Sequence, residues 1–293
     1  MMGSISIFIS ALLLFHASLA SSEVSTGDFN KDFSVKWSPD HVNTSADGRS
    51  RSLKLDRHSG SVMSSNYTFL FGQFDMQIKL IPGNSAGTVV AFYLATEQFA
   101  NRDELDFEFL GNEEGKPYIL QTNVYTNGSG SREQRVNLWF DPTKDFHTYS
   151  IFWNFYQVVF LVDRIPIRTF RNHEDDGVAY PGWKPMGLTV SLWDGSSWAT
   201  SGGKVKVDWS KAPFIASFKD YKLEGCVWKG NNGKDCRAGG PSYWWNKDRA
   251  KTLTPYQRRL YKWVRNYFIT YDYCGDKQRF NNSLPPECSR PIY

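Results

Sequence analysis

The sequence predicts an all-β fold, one β-sandwich followed by a short cystine-tied C-terminal extension that contains one helix. Three observations carry this. From Asp28 to about Glu224 the apolar residues come in short alternating runs broken by Gly, Asn, Asp and Pro, which is the pattern of many short strands rather than of βαβ units. Over the same stretch no helical periodicity of useful length appears. All the cysteines lie after it, at Cys226, Cys236, Cys274 and Cys288.

The chain opens with an almost entirely apolar run, Ile5 to Phe15, followed by Ser18-Leu19-Ala20. A short apolar segment before a small-x-small site reads as a signal peptide. Residues 1–20 are therefore expected to be removed and the mature chain to begin near Ser21. The run is too short to cross a membrane, and no later segment approaches the ~18 apolar residues that a span needs. Strands are expected over Phe74–Leu80, Gly87–Ala95, the segment Glu104–Phe109, Tyr118–Tyr125, Arg135–Phe140, Tyr149–Trp153, Val158–Val162 and Met186–Trp193. The tail changes character. Thr254-Pro255-Tyr256-Gln257 has the spacing of a capping box, with Pro in the first turn. Leu260, Trp263, Val264, Tyr267 and Phe268 then recur at helical spacing, an apolar stripe expected to pack on the sandwich.

A chain of 293 residues, 41% hydrophobic and 22% charged, is long enough for one large domain or a domain with an extension. Its aromatic content, 16%, suits either a packed β core or a cleft that stacks sugar rings or bases. Cysteines in this number fit an oxidising compartment. Three pairings exist, of which short-range closure favours Cys226–Cys236 and Cys274–Cys288. No His clusters with them, so zinc is not expected. Sequons at Asn43, Asn66, Asn127 and Asn281 are compatible with secretion and glycosylation. The net charge of +4 conceals an asymmetry: from Cys226 onward 13 Lys and Arg face 5 Asp and Glu, a balance of +8, which leaves −4 for the rest. A basic tail suits weak contact with an acidic polysaccharide. Nucleic acid is a poor partner for a secreted chain that carries no recognisable binding motif.

The most informative segment is Glu104-Leu105-Asp106-Phe107-Glu108-Phe109-Leu110-Gly111-Asn112. In a strand it would turn Leu105, Phe107 and Phe109 to a core and place Glu104, Asp106 and Glu108 on the other face. No Lys or Arg interrupts the acids. Same-face neighbours lie about 6–7 Å apart along a strand, and like charges that close raise at least one pKa. Carboxylates in unequal protonation states are what glycoside cleavage requires, one acid to protonate the leaving oxygen and one carboxylate to attack or to activate water. Glu104 and Glu108 would be roughly 13 Å apart at Cα, whereas the carboxyls of retaining enzymes sit about 5–5.5 Å apart. Side chains that lean inward on a twisted sheet are expected to close much of that difference.

This segment resembles the catalytic signature of the plant xyloglucan endotransglucosylase/hydrolases, in family 16 of the glycoside hydrolases. The resemblance extends through Phe71-Gly72, Pro82-Gly83-Asn84-Ser85-Ala86-Gly87-Thr88, Arg132-Glu133-Gln134, Leu138-Trp139-Phe140-Asp141-Pro142-Thr143, Phe146-His147-Thr148-Tyr149-Ser150, Trp198-Ala199-Thr200 and Pro285-Pro286-Glu287-Cys288. It implies a curved, concanavalin-like jelly roll at 21–225 with an open cleft, followed by an extension at 226–293. It implies Glu104 as nucleophile, Glu108 as general acid and base, and Asp106 between them, with no metal and no cofactor. Gln121, Thr122, Asn123, Ser131, Arg132, Glu133, Ser197, Trp198, Gly202 and Arg279 match segments that bind substrate in the family. Among them Arg132, Glu133, Trp198 and Arg279 are the contacts that the departures from the family pattern leave intact.

What the resemblance implies is a monomeric enzyme secreted to the plant cell wall, or apoplast. It would cleave the β-1,4-glucan backbone of xyloglucan with retention and pass the chain to another chain end, with xyloglucan and related β-glucans as donor and acceptor. The segment Val124 to Ser131 is short, as in the transferring members, so transfer is expected to exceed hydrolysis. Asn112-Glu113-Glu114 is no sequon where relatives often carry one. Asn101-Arg102-Asp103 and Trp37-Ser38-Pro39-Asp40 also depart from the common pattern. These departures keep mixed-linkage glucan or cellulose open as donor. A wall protein that grips glucan without turnover is the non-enzymatic alternative, although pure binding has no need of three crowded acids.

Overall fold

The computed structural model describes residues 24–230, 233–238 and 243–293, so the expected signal peptide lies outside the described residues. Among these, fourteen strands pair antiparallel. They are β1 (Phe33–Trp37), β2 (Val42–Thr44), β3 (Ser50–Leu55), β4 (Ser61–Lys79), β5 (Thr88–Ala95), β6 (Glu104–Leu110) and β7 (Ile119–Tyr125). After them come β8 (Gln134–Asn137), β9 (His147–Trp153), β10 (Gln157–Val162), β11 (Ile165–Arg171), β12 (Met186–Asp194), β13 (Phe214–Val227) and β14 (Ile269–Asp272). Helices α1 (Phe29–Asp32), α2 (Gly233–Arg237) and α3 (Pro255–Tyr267) accompany them.

One strand creates the two layers. The first part of β4 pairs with β1 and β12, whereas its second part, from Gly72 on, pairs with β9 and with β13, which also reaches back to Phe69 through Val227. The change falls at Phe71 and Gly72, where φ is 71° and 149°. One layer therefore reads β1-β4-β12-β5-β6-β7-β8-β14 and the other β11-β10-β9-β4-β13-β3-β2. Gly72 has no room for a side chain, because a Cβ there would stand 2.4 Å from the Glu224 carbonyl oxygen on β13.

Between the layers lies an aromatic core. Phe107 of β6 meets Phe160 of β10 edge-on at 5.1 Å, and Phe109 meets Tyr149 of β9 at 4.7 Å. Leu105, Phe107 and Phe109 are fully buried, as the alternation requires. A slip of one residue would exchange this set for the acids, so the core fixes the register of β6.

The expected strand at Arg135–Phe140 stops at Asn137. There the chain turns so that Trp139 packs against Trp263 and Phe268 of the tail, at 5.2 and 5.5 Å. Strands β1, β2, β3, β11, β13 and β14 lie outside the expected set, although β1 and β13 alternate apolar and polar residues; β11 carries Pro166 where its register with β10 shifts. Helix α3 has its capping box, with Thr254 and Gln257 bonding reciprocally. Its buried residues are Tyr261 and Val264, while Tyr267, expected in the apolar stripe, is exposed. The disulfides are Cys226–Cys236 and Cys274–Cys288, the short-range pairing. Strand β14 adds the tail to the first layer beside β8.

Replacing Gly72 by Ala should lower stability by at least about 2 kcal/mol, since a positive φ and a backbone clash coincide there. Gly177→Ala, also at positive φ but with nothing within 4 Å, should cost no more than ~1 kcal/mol. Urea unfolding followed by tryptophan fluorescence compares the two, and equal losses would remove the crossing at β13 as the cause.

Candidate active site

The outer face of β6 carries the acids, and the register extends each into a row across the layer. Glu108 stands beside Gln121 of β7, which stands beside Arg135 of β8 and then Tyr271 of β14. Asp106 stands beside Asn123, and Glu104 beside Tyr125. On the other side the neighbours on β5 are Ala91, Tyr93 and Ala95.

Each acid has a different environment. The Arg102 guanidinium lies 3.2 Å from Glu104. It is itself held between the rings of Phe99 and Tyr125, at 4.7 and 4.3 Å. Asp106 is buried and hydrogen-bonds to Glu104. Glu108 accepts a 2.6 Å bond from Gln121 Nε2. Gln121 Oε1 in turn accepts from Arg135 Nε at 2.7 Å, which fixes the amide with its NH₂ toward the acid. One oxygen of Glu108 is thereby engaged as an acceptor, leaving the other to carry a proton.

Burial raises all three acids above the ordinary carboxylate range, because each must lose water to be charged. For Glu104 the Arg102 charge and the hydrogen bond from Asp106 oppose that rise without cancelling it. Asp106 is raised well above its usual value, by burial first and then by the charges of Glu104 and Glu108. Glu108 is pushed up to about 7, by burial first, with Gln121 opposing and the charge of Glu104 adding. Asp106, flanked by Glu104 and Glu108, is thereby favoured in its protonated form, while Arg102 favours charge on Glu104. The charge of Glu104 is among the causes that raise Glu108, as like charges this near each other act.

A pocket of about 480 Å³ opens over Glu108, lined by Gln121, Asn123, Tyr125, Glu133, Arg135, Trp198, Tyr271, Asp276 and Arg279. Arg279 grips Glu133 through both terminal nitrogens, at 2.6 and 3.1 Å. Burial would raise Glu133, but these bonds outweigh it and hold the carboxyl below its usual range. Trp198 caps a small apolar cluster of Val89, Leu110 and Ala199, with Ile119 beside it. Its ring stands 6.1 Å from Trp193. Among the described residues no group of His, Cys, Asp and Glu is arranged to hold a metal ion.

Of the residues expected to bind substrate, Gln121, Asn123, Glu133, Trp198 and Arg279 come together in this pocket. The others do not. Thr122 alternates to the core, where its hydroxyl and carbonyl oxygens accept from buried Arg168. Arg132, one of the four contacts left intact by the family comparison, is also turned inward. Its guanidinium pairs with buried Glu287 at 2.5 Å and lies over Phe170, so it braces the tail rather than lining the pocket. Ser131, Ser197 and Gly202 are exposed and line no part of the pocket. Tyr125 and Arg135 belong to the site and were missed. Both continue the alternation, Gln121-Asn123-Tyr125 and Glu133-Arg135, that places their neighbours. Tyr271 and Asp276, from the tail, had no such signal. All four sequon asparagines, Asn43, Asn66, Asn127 and Asn281, are exposed.

Comparison with known proteins agrees with this architecture. The profile "Glycosyl hydrolases family 16" matches residues 29–211, and "Xyloglucan endo-transglycosylase (XET) C-terminus" matches 239–288. The chain is 61% identical to "Probable xyloglucan endotransglucosylase/hydrolase protein 10" of Arabidopsis thaliana, over 97% of this chain and 94% of that one. It is 48% identical to "Xyloglucan endotransglucosylase protein 34" of Populus tremula x Populus tremuloides, over 89% and 88%. Among solved structures, a prokaryotic β-1,3-1,4-glucanase (lichenase) from a mouse hindgut metagenome superimposes with a TM-score of 0.54 at 21% identity. That match covers 67% of this chain and 94% of the lichenase and shows a shared fold.

The raised Glu108 has a measurable consequence for stability. Between about 4.5 and about 7 the folded protein holds a proton on Glu108 that the unfolded chain has released, so this group makes stability fall as pH rises through that window. Glu108→Gln cannot ionise and lacks that fall. Its melting temperature should therefore gain on the parent protein's between pH 4.5 and 7 and change little relative to it above. A difference constant across the window, measured by differential scanning calorimetry, would contradict the raised pKa.

Proposed function

The chain belongs to the xyloglucan endotransglucosylase/hydrolase family within the glycosyl hydrolases of family 16, and from that premise we propose that it cuts the β-1,4-glucan backbone of xyloglucan and rejoins the cut chain to another. The observation that carries the reading is the placement of Glu104, Asp106 and Glu108 on one strand face beside an open pocket, each raised above the ordinary carboxylate range by burial.

The chemistry is a double displacement with retention. A Glu104 carboxylate oxygen attacks the anomeric carbon of a backbone glucose. The bond to the glycosidic oxygen breaks as Glu108 gives that oxygen its proton, and a glycosyl ester on Glu104 results. Asp106, protonated and hydrogen-bonded to Glu104, shares the charge that returns to the nucleophile when the ester is broken. In the second step Glu108, now a carboxylate, removes the proton from a sugar hydroxyl of the acceptor. The freed oxygen attacks the anomeric carbon and Glu104 leaves. Water in the acceptor's place gives hydrolysis. Glu108 is suited to both steps because its pKa near 7 lets it give and regain a proton at mild pH.

The tight loop after Asn123 favours transfer. Thr126 and Ser129 close a two-residue turn, with Asn127 and Gly128 both at positive φ. Asp103 and Lys184 bind Asn127 and hold the turn down beside the acids. Secretion to the plant cell wall, action as a monomer and retention by acidic wall polymers through the basic tail complete the reading. Among the described residues no helix is long and apolar enough to cross a membrane.

Incubation with xyloglucan polymer and a fluorescent xyloglucan oligosaccharide should move label into polymer, while few new reducing ends appear. Reducing ends that rise equally with and without acceptor would overturn transfer. Glu104→Ala should lower turnover by about 10³-fold or more and still bind polymer. Activity close to that of the parent protein would remove Glu104 as nucleophile.

A further inference from the structure

The row of side chains that holds Glu108 does not end beside it. Followed away from Gln121, the register runs Glu108, Ala91, Ser191, Val62 and Trp37, crossing β5, β12 and β4 to the edge strand β1. Strand β1 contains a one-residue bulge at Lys36: Val35 pairs with Met63, but Trp37 pairs with Val62. Met63 is fully buried and faces the core. In a regular strand Trp37, two residues after Val35, would share that inward face. The extra residue turns the indole outward instead, onto the face that carries the acids, which is a recurrent use of bulges near active sites.

The ring so placed is 63% exposed, although it is one of the largest apolar groups in the chain. It is also fixed. Trp37 Nε1 donates to Ser59 Oγ at 2.9 Å, and Ser59 donates onward to the Gly60 carbonyl at 2.8 Å. Ser38 Oγ lies 2.6 Å from Ser59 Oγ. The following turn is clamped by His41, whose ring nitrogens reach Asp40 at 2.9 Å and Asp56 at 3.0 Å. A ring held this way loses little conformational freedom on binding, the same economy that favours Trp at recognition surfaces.

Between Glu108 and Trp37 the floor is low. Ala91 and Ser191 are small and nearly covered, and Val62 is the bulkiest group in the lane. Four interstrand steps of ~4.8 Å make this lane about 19 Å long, the reach of several linked hexopyranose rings. A pyranose presents C–H groups on its faces and hydroxyls at its rim, so it stacks on an exposed indole while its rim stays in water.

We propose that Trp37 is a remote saccharide platform. It stacks a ring of the glucan chain several units from the bond being cleaved, at the end of the cleft opposite Arg279. This rests on the reading of the chain as a glucan-cleaving enzyme and adds to it a specificity for chain length.

The test uses Glu104→Ala, which retains bound chains, with and without Trp37→Ala, and xyloglucan oligosaccharides of short and long backbone. Calorimetric titration should show Trp37→Ala weakening the long chain about fivefold to tenfold beyond any loss on the short one, the worth of one aromatic stacking contact. Trp37→Phe should recover most of it. The loss in kcat/KM on an otherwise intact enzyme should grow with backbone length in the same way. Equal losses on short and long chains, or no loss on either, would overturn the proposal. An intact protein that binds long chains through Trp37 yet cleaves none would instead overturn the catalytic reading and leave the platform standing.

Discussion

Strand β6 is bound by two requirements at once. One face must bury Leu105, Phe107 and Phe109 against the rings of the opposite layer, and the other must hold three acids, with Asp106 hydrogen-bonded to Glu104, and Glu108 near enough to feel the charge of Glu104. The first requirement makes the second affordable. Crowded, dehydrated carboxyls destabilise a fold, and the rings behind them hold the strand in register against that cost.

Unequal environments then decide which acid does what. Arg102 is held between two rings and lends positive charge to Glu104. Asp106 is buried with like charges on both sides, which favours its protonated form. Glu108 has an amide donor at one oxygen, oriented by Arg135 from the next strand. These partners come from β6, β7, β8 and the loop before β6, elements that the register locks together. The site is therefore set by neighbouring strands rather than by mobile loops, which favours precise positioning of the reacting groups.

Much of this was legible before the structure. Alternation along Glu104–Phe109 placed the acids and the core residues correctly, and the capping box marked the start of α3. Substrate contacts were less legible, for a physical reason. Motifs carry Gln121-Thr122-Asn123 and Arg132-Glu133 as blocks, yet extended backbone divides every block between two faces. Thr122 and Arg132 went inward, while Tyr125 and Arg135, two residues beyond recognised positions, went to the pocket. Trp37 eluded the same rule in the opposite way, because a bulge reverses the alternation and no residue in Val35-Lys36-Trp37 announces one. Tyr271 and Asp276 come from the tail, and their place depends on the pairing of β14 with β8, a contact between distant parts of the chain.

That pairing bears on how the protein is made. The wall of the pocket is closed by Arg279 on Glu133, partners 146 residues apart, and is braced from behind by Arg132 on Glu287, 155 residues apart. A chain emerging from the ribosome can assemble β4 to β12 with their acids in register, but β8 remains a bare edge until the segment around 270–287 follows. Contacts so far apart in sequence form late. The carboxyls thus rest on strands made early, while the open side of the cleft is walled by contacts with the last part of the chain.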